Sequence, residues 1–202
     1  MKKLFIIVCV LLVAAACKKD SDSAIPVTQS SFMLFNGAPG GSFKVILDTT
    51  LDQTSPHTTY EITNKLEFGE HTAYKQFRAQ LYNIYITDLN TSKPAERVGQ
   101  INLRNKRSFS AYIGRDSVTS QYFLRTIEDD LTAPAGTNMK MRIVNLGQTF
   151  RDNNAEVGID VYTGTRAADT IALFRGLGLG AATPFVEMDG VDTTYQLNFR
   201  RN

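Results

Sequence analysis

Tryptophan is absent from this 202-residue chain, and cysteine and histidine occur only twice each. Sugar-stacking platforms usually draw on the indole, so without it tyrosines are the candidates to serve. With only His57 and His71, little imidazole is left for acid–base work, and no Gly-x-Ser-x-Gly nucleophile elbow occurs. An excess of one charge is missing too. The formal charge of +2 comes entirely from Lys2 and Lys3; from residue 17 onward 20 basic side chains face 20 acidic ones. That balance removes the electrostatic argument for a nucleic-acid partner. The longest apolar run, Leu4 to Ala16, has 13 residues, short of the ~20 that a helix needs to cross a bilayer. No sustained helical periodicity follows it. At 43% hydrophobic and 21% charged residues, disorder, collagen and coiled coil are excluded as well.

The first residues carry an address. A two-lysine start, a short apolar stretch and small residues before a cut site describe a secretory signal over 1–16. Cys17 follows Ala14-Ala15-Ala16, which resembles the lipobox of bacterial lipoproteins, with Ala14 standing where that pattern prefers Leu. The resemblance implies cleavage between Ala16 and Cys17 and acylation of Cys17. One acyl chain holds a protein to a membrane only marginally, whereas several on one cysteine hold firmly. The same alanines satisfy ordinary signal peptidase, which would give a plain secreted protein instead. If Cys9 leaves with the signal, Cys17 is the only cysteine left, so disulfide, thiolate and cysteine–metal chemistry are not expected. Residues 17–30, with Lys18-Lys19-Asp20-Ser21-Asp22-Ser23, read as a solvated tether. This Lys-Asp-rich stretch also resembles the surface-export signals of Bacteroidota lipoproteins.

Beyond residue 30 the pattern has period two. Strands are predicted at Phe32–Asn36, Phe43–Asp48, Gln80–Ile86, Val98–Leu103, Phe109–Ile113 and Gln121–Ile127, with turn signals between them. The fold class expected is all-β, an Ig-like sandwich. Self-comparison finds four blocks repeated in order. Phe32–Asn36 matches Met141–Asn145, and Phe43–Asp48 matches Val157–Tyr162. Leu66–Tyr74 matches Leu177–Phe185, and Leu81–Ile86 matches Tyr195–Phe199. A tandem repeat follows: one Ig-like sandwich over 31–127, a linker over 128–138, and a second, incomplete copy over 139–202. An Ig-like sandwich takes about 100 residues, and the second copy has 64. A truncated gene product is the favoured account of that shortfall. The alternatives are strands borrowed from the first copy or donated by a partner across open edges.

These blocks resemble the "domain of unknown function 4397" family, tandem Ig-like modules of bacterial envelope lipoproteins. Ile159-Asp160-Val161-Tyr162 fits that family's second strand well, and Phe43–Leu47 fits it loosely. Asp129-Asp130-Leu131-Thr132-Ala133-Pro134 reproduces its inter-module stretch. The departures are the insert Thr49–Thr63 in the first copy and the lost end of the second. The resemblance implies a fold and a location but no activity.

Local patterns offer little chemistry. His57 sits in a Ser55-Pro56-His57-Thr58 turn, and His71 stands where the second copy has Ala182. Gly176-Leu177-Gly178-Leu179-Gly180-Ala181 matches the dinucleotide fingerprint in letters only. Pro184 and a strand-like stretch follow, where a helix would have to receive the pyrophosphate. Glu128-Asp129-Asp130, with Asp152-Asn153-Asn154, could bracket a Ca²⁺, but a solvated acidic linker is the expectation because no spaced calcium loop occurs. Tyr60, Tyr74, Tyr112, Tyr122 and Tyr162 are the candidate sugar-stacking residues. Ser23, Ser117 and Thr170, each preceded by Asp, resemble the O-glycosylation sequon of secreted Bacteroidota proteins.

The expectation from sequence is therefore a lipid-anchored, non-catalytic binding or display module on the outer membrane, with no cofactor and no metal. Its partners would be the membrane through the anchor, a surface glycan or another envelope protein, and a strand donor for the short second copy. The competing expectation is a periplasmic accessory module on the same anchor, with an enzyme a distant third.

Overall fold

The computed structural model describes residues 28–50, 59–147, 151–152, 155–156, 158–163, 172–190 and 196–201. Ala16, Cys17, Ser23, His57, Asn153, Asn154 and Thr170 lie outside the described residues, as do the signal expected over 1–16 and most of the tether expected over 17–30. Fifteen strands and no helix occur among the described residues. In chain order they are β1 (Gln29–Asn36), β2 (Ser42–Asp48), β3 (Thr59–Glu67), β4 (Lys75–Arg78), β5 (Leu81–Asp88), β6 (Glu96–Asn102), β7 (Ser108–Arg115) and β8 (Tyr122–Asp129). There follow β9 (Met139–Met141), β10 (Arg151–Asp152), β11 (Ala155–Glu156), β12 (Ile159–Thr163), β13 (Ala172–Leu177), β14 (Val186–Met188) and β15 (Leu197–Arg201).

Alternation places every second side chain of a strand on one face. In β1 the inward set is Ser30, Phe32, Leu34 and Asn36; in β2 it includes Phe43, Val45 and Leu47. Tyr82, Ile84 and Ile86 of β5 and Phe109, Ala111 and Ile113 of β7 complete the same core. Two four-stranded sheets enclose it, in the orders β4-β1-β7-β8 and β3-β2-β5-β6. The sandwich expected from sequence is thus present, with four strands in each sheet. Every pairing is antiparallel except β1 with β7, which run parallel from Ser31 opposite Ser108 to Asn36 opposite Ile113. Burying each large apolar side chain of this set contributes about 1.5–3 kcal/mol, which is why the alternation decides the register. Strand β8 continues to Asp129, two residues past the boundary expected at 127.

The remainder of the chain has a smaller core of Ile159, Val161, Phe174 and Leu177, against which Met141, Ile143, Ala181, Val186 and Leu197 pack. Its sheets are β13-β12-β15 and β14-β9. The first of these has the pairing pattern of β3-β2-β5, and the second that of β4-β1, all antiparallel.

The likeness extends to single hydrogen bonds. The Asn36 side-chain amide donates to Leu66 O at 3.0 Å, and that of Asn145 donates to Leu177 O at 2.8 Å. Asn36 N donates to Glu70 O, and Asn145 N to Ala181 O, both at 2.9 Å. Gly69 N returns to Asn36 O, as Gly180 N does to Asn145 O, and both glycines hold positive φ, 85° and 72°. A side chain there would be strained. Leu34 N donates to the Thr72 hydroxyl and Ile143 N to the Thr183 hydroxyl, both at 3.1 Å. The isolated bridges Phe35–His71 and Val144–Ala182 fall at matching places. An asparagine closing the opening strand can serve the turn and the neighbouring strand at once, because its amide donates while its oxygen accepts.

Candidate functional site

An open groove of about 770 Å³ lies at one end of the first sandwich, within the size range of small-molecule sites. Three stretches far apart in sequence build it: Gly40 after β1, the β5–β6 connection from Asp88 to Arg97, and the β7–β8 connection from Arg115 to Tyr122. Strand pairing brings them together, since β7 turns directly into β8 and β5 directly into β6. Ile86 and Tyr122 supply its apolar surface. Polar and charged groups supply most of the rest: Asp88, Asn90, Lys93, Glu96, Arg97, Arg115 and Gln121.

Tyr122 is fixed from three sides. Its ring meets Phe43 edge-on with centroids 4.9 Å apart, and the Arg115 guanidinium lies 5.6 Å from its centroid. Its hydroxyl donates to Asp88 Oδ2 at 3.0 Å, while Asp88 Oδ1 accepts from Asn90 N at 3.0 Å. Burial, reinforced by the bond to Asp88, raises the Tyr122 phenol above its ordinary range. Arg115 Nε reaches Ser120 O at 3.4 Å. Lys93 and Arg97 are exposed and form no ion pair among the described residues. The groove therefore presents three cations against two carboxylates, one of them already engaged, on a framework held by packed aromatics.

A second polar cluster lies between the two cores. Asp129 at the end of β8 is paired with Arg142, just past β9, through Oδ1 and Nη1 at 2.6 Å. Ser110 Oγ donates to the same carboxylate oxygen at 2.9 Å, and the Tyr74 hydroxyl donates to the other at 2.8 Å. The guanidinium sits 3.9 Å from the Phe185 ring centroid, and its Nε is buried without a hydrogen-bond partner. Burial, then the bond to Asp129, pushes the Tyr74 phenol well above its usual range. Beside it, Asp130 accepts from the Thr132 hydroxyl and from Lys140, and these bonds hold its carboxyl below the usual range. Glu128 is flanked by Arg104 and Arg107.

The acidic stretch expected to be a solvated linker is therefore matched cation by cation, with Asp129 buried. Sequence reasoning missed this because the neutralising residues, Arg104, Arg107, Lys140 and Arg142, stand ten or more positions away. Among the described residues, no three His, Cys, Asp or Glu side chains are grouped to hold a metal.

The other residues singled out from sequence are scattered. His71 is exposed, its Nδ1 3.0 Å from Thr72 O. Gly176 lies within β13, its N–H donating to Asp160 Oδ1 at 2.8 Å, and Pro184 leads into β14 with no helix. Ser117 lies in the exposed β7–β8 turn, where Asp116 Oδ1 accepts from Val118 N and Thr119 N. Of the five tyrosines, Tyr122 alone lines the groove; Tyr74 serves the inter-core cluster, and Tyr162 carries Arg200 over its ring at 4.6 Å. The groove loops gave no motif to find, only an enrichment of charge and turn residues around Lys93-Pro94.

The family model described as "Domain of unknown function (DUF4397)" matches residues 30–151. No curated protein matches the chain.

Proposed function

The chain belongs to the DUF4397 family, and from that premise we propose that it is a lipid-anchored, non-catalytic binding or display module of a bacterial, Bacteroidota-like cell envelope. The observation that carries the binding role is the groove around Tyr122, where Lys93, Arg97 and Arg115, none in an ion pair among the described residues, line the same concavity as a rigid aromatic. The anchor rests on residues 1–16, a signal of 16 residues followed directly by the acylatable Cys17. Surface display on the outer membrane is the preferred location, and a glycan or an envelope protein the preferred ligand class.

The shared bonds of Asn36 and Asn145 support a tandem duplication of one Ig-like module. In the second core, β15 is a sheet edge among the described residues, which fits a strand-donating partner. The exposed turn carrying Ser117 fits a modification site, and intact mass of the native protein equal to polypeptide plus lipid would remove that idea. A periplasmic accessory module on the same anchor is the second reading.

Metabolic labelling with an alkyne fatty acid tests the anchor. Label on the full-length protein and none on Cys17→Ser is expected. An unlabelled wild-type protein recovered in the medium would contradict it.

A further inference from the structure

The groove that carries the binding role also indicates what kind of molecule it takes, and the following rests on that role. Lys93 and Arg97 reach the groove from the β5–β6 connection and Arg115 from the opposite wall. No carboxylate among the described residues pairs with any of the three. Arg115 spends Nε on Ser120 O and lies over Tyr122; its two terminal nitrogens form no further bond among the described residues. Of the two groove carboxylates, Asp88 has one oxygen on the Tyr122 hydroxyl and the other on Asn90 N, and Glu96 is exposed to solvent. Asn90, Thr91, Thr119, Ser120 and Gln121 line the same groove. Asn90 Nδ2 already donates to Gly40 O at 2.9 Å and the Thr91 hydroxyl to Asp88 O at 3.3 Å, while the Ser120 hydroxyl and the Gln121 amide can exchange hydrogen bonds with hydroxyl groups in either sense.

A site of this make-up is poorly suited to an apolar ligand, because desolvating so many polar groups without replacing their bonds is costly. A neutral sugar would satisfy the amides and hydroxyls but leave the cations with water. Guanidinium groups hold planar carboxylates through paired N–H bonds. We propose that the groove binds an acidic glycan, a chain whose sugars carry carboxylates, with Arg97 and Arg115 holding one sugar carboxylate, Lys93 lying alongside, and the amides and hydroxyls reading neighbouring ring hydroxyls. Such a ligand matches a groove open along one side, which a polymer can enter without threading.

The test is calorimetric titration of the full chain carrying Cys17→Ser with galacturonate tri- to pentasaccharides and, in parallel, with neutral galactose oligomers of the same length. Binding of the acidic series, weakened at least tenfold by Arg97→Ala and by Lys93→Ala but not by the distant Lys75→Ala, is expected. Both groove positions are exposed, and an unchanged melting temperature shows that each variant is folded. Equal binding of the neutral series, lost in the same variants, would overturn the acidic specificity while leaving the groove as the binding site. Binding of neither series, or binding indifferent to the groove variants, would overturn both.

Discussion

Arg142 Nη1 lies 2.6 Å from Asp129 Oδ1, and the two side chains are 5% and 1% exposed. This ion pair ties the last strand of the first sandwich to the opening strand of the second core. Leu146 also packs on Gly37, close enough that a Cβ at Gly37 would fall 2.3 Å from Leu146 Cδ1. The two cores are therefore joined by a buried polar contact as well as an apolar one.

Removing one member of that pair leaves the other buried and uncompensated. Asp129→Ala or Arg142→Ala should each lower the unfolding free energy by about 3–5 kcal/mol in urea titration. Replacing both with apolar residues, Asp129→Leu with Arg142→Met, should cost less than the sum. An additive result would mean the two side chains act separately.

Asn36 donates to both Gly41 O and Leu66 O at 3.0 Å while accepting from Ala38 N at 2.9 Å, all within the core. Asn36→Ala strands those groups, at a cost of about 2–4 kcal/mol. Asn36→Asp should not rescue stability, because a carboxylate cannot donate to the two carbonyls. A rescue measured in the same denaturation series would show that only the acceptor matters.

How much of this was legible in the sequence depends on how local the cause is. Alternation at Phe32, Leu34, Phe43, Val45, Tyr82 and Ile84 is a property of neighbouring residues, and it marked the central strands correctly. In the blocks Leu66–Tyr74 and Leu177–Phe185, Gly69 and Gly180 both hold positive φ, a local property that a glycine in the sequence can signal. Strand β3 was hidden inside what looked like a polar insert because it is an edge strand with only Ile62 and Leu66 buried. The parallel pairing of β1 with β7 is set by residues more than seventy positions apart, which no window contains. The groove escaped for the same reason, being assembled from three loops whose letters say only that they are polar.

Alkaline pH offers a separate check. The Tyr74 phenol is raised in the folded protein from an ordinary value of 10.0, by burial and by its bond to Asp129. Its contribution is fully present below pH 10 and is lost as pH climbs toward the raised folded value. Stability should fall above pH 10, and Tyr74→Phe should flatten that fall. An equally steep decline in the variant would place the cause elsewhere, with Tyr122 the next phenol to test.

Gly190 makes a steric prediction. A Cβ there would lie 2.3 Å from the Thr137 carbonyl oxygen, a backbone atom that cannot swing aside. Gly190→Ala should force the chain beside β9 apart and destabilise the second core by about 1–3 kcal/mol. Hydrogen exchange should then quicken at β9 and β14 while the β1–β7 amides stay protected. Uniform protection across both cores would contradict the predicted local disruption.

Display of a binding module at the cell surface is tested most directly by proteinase digestion of intact cells carrying a C-terminally tagged full-length chain, with Cys17→Ser in parallel. The account predicts that the tag is lost on whole cells and that Cys17→Ser is released from the membrane in soluble form. A tag protected until the outer membrane is opened would contradict surface display and leave the periplasmic accessory role.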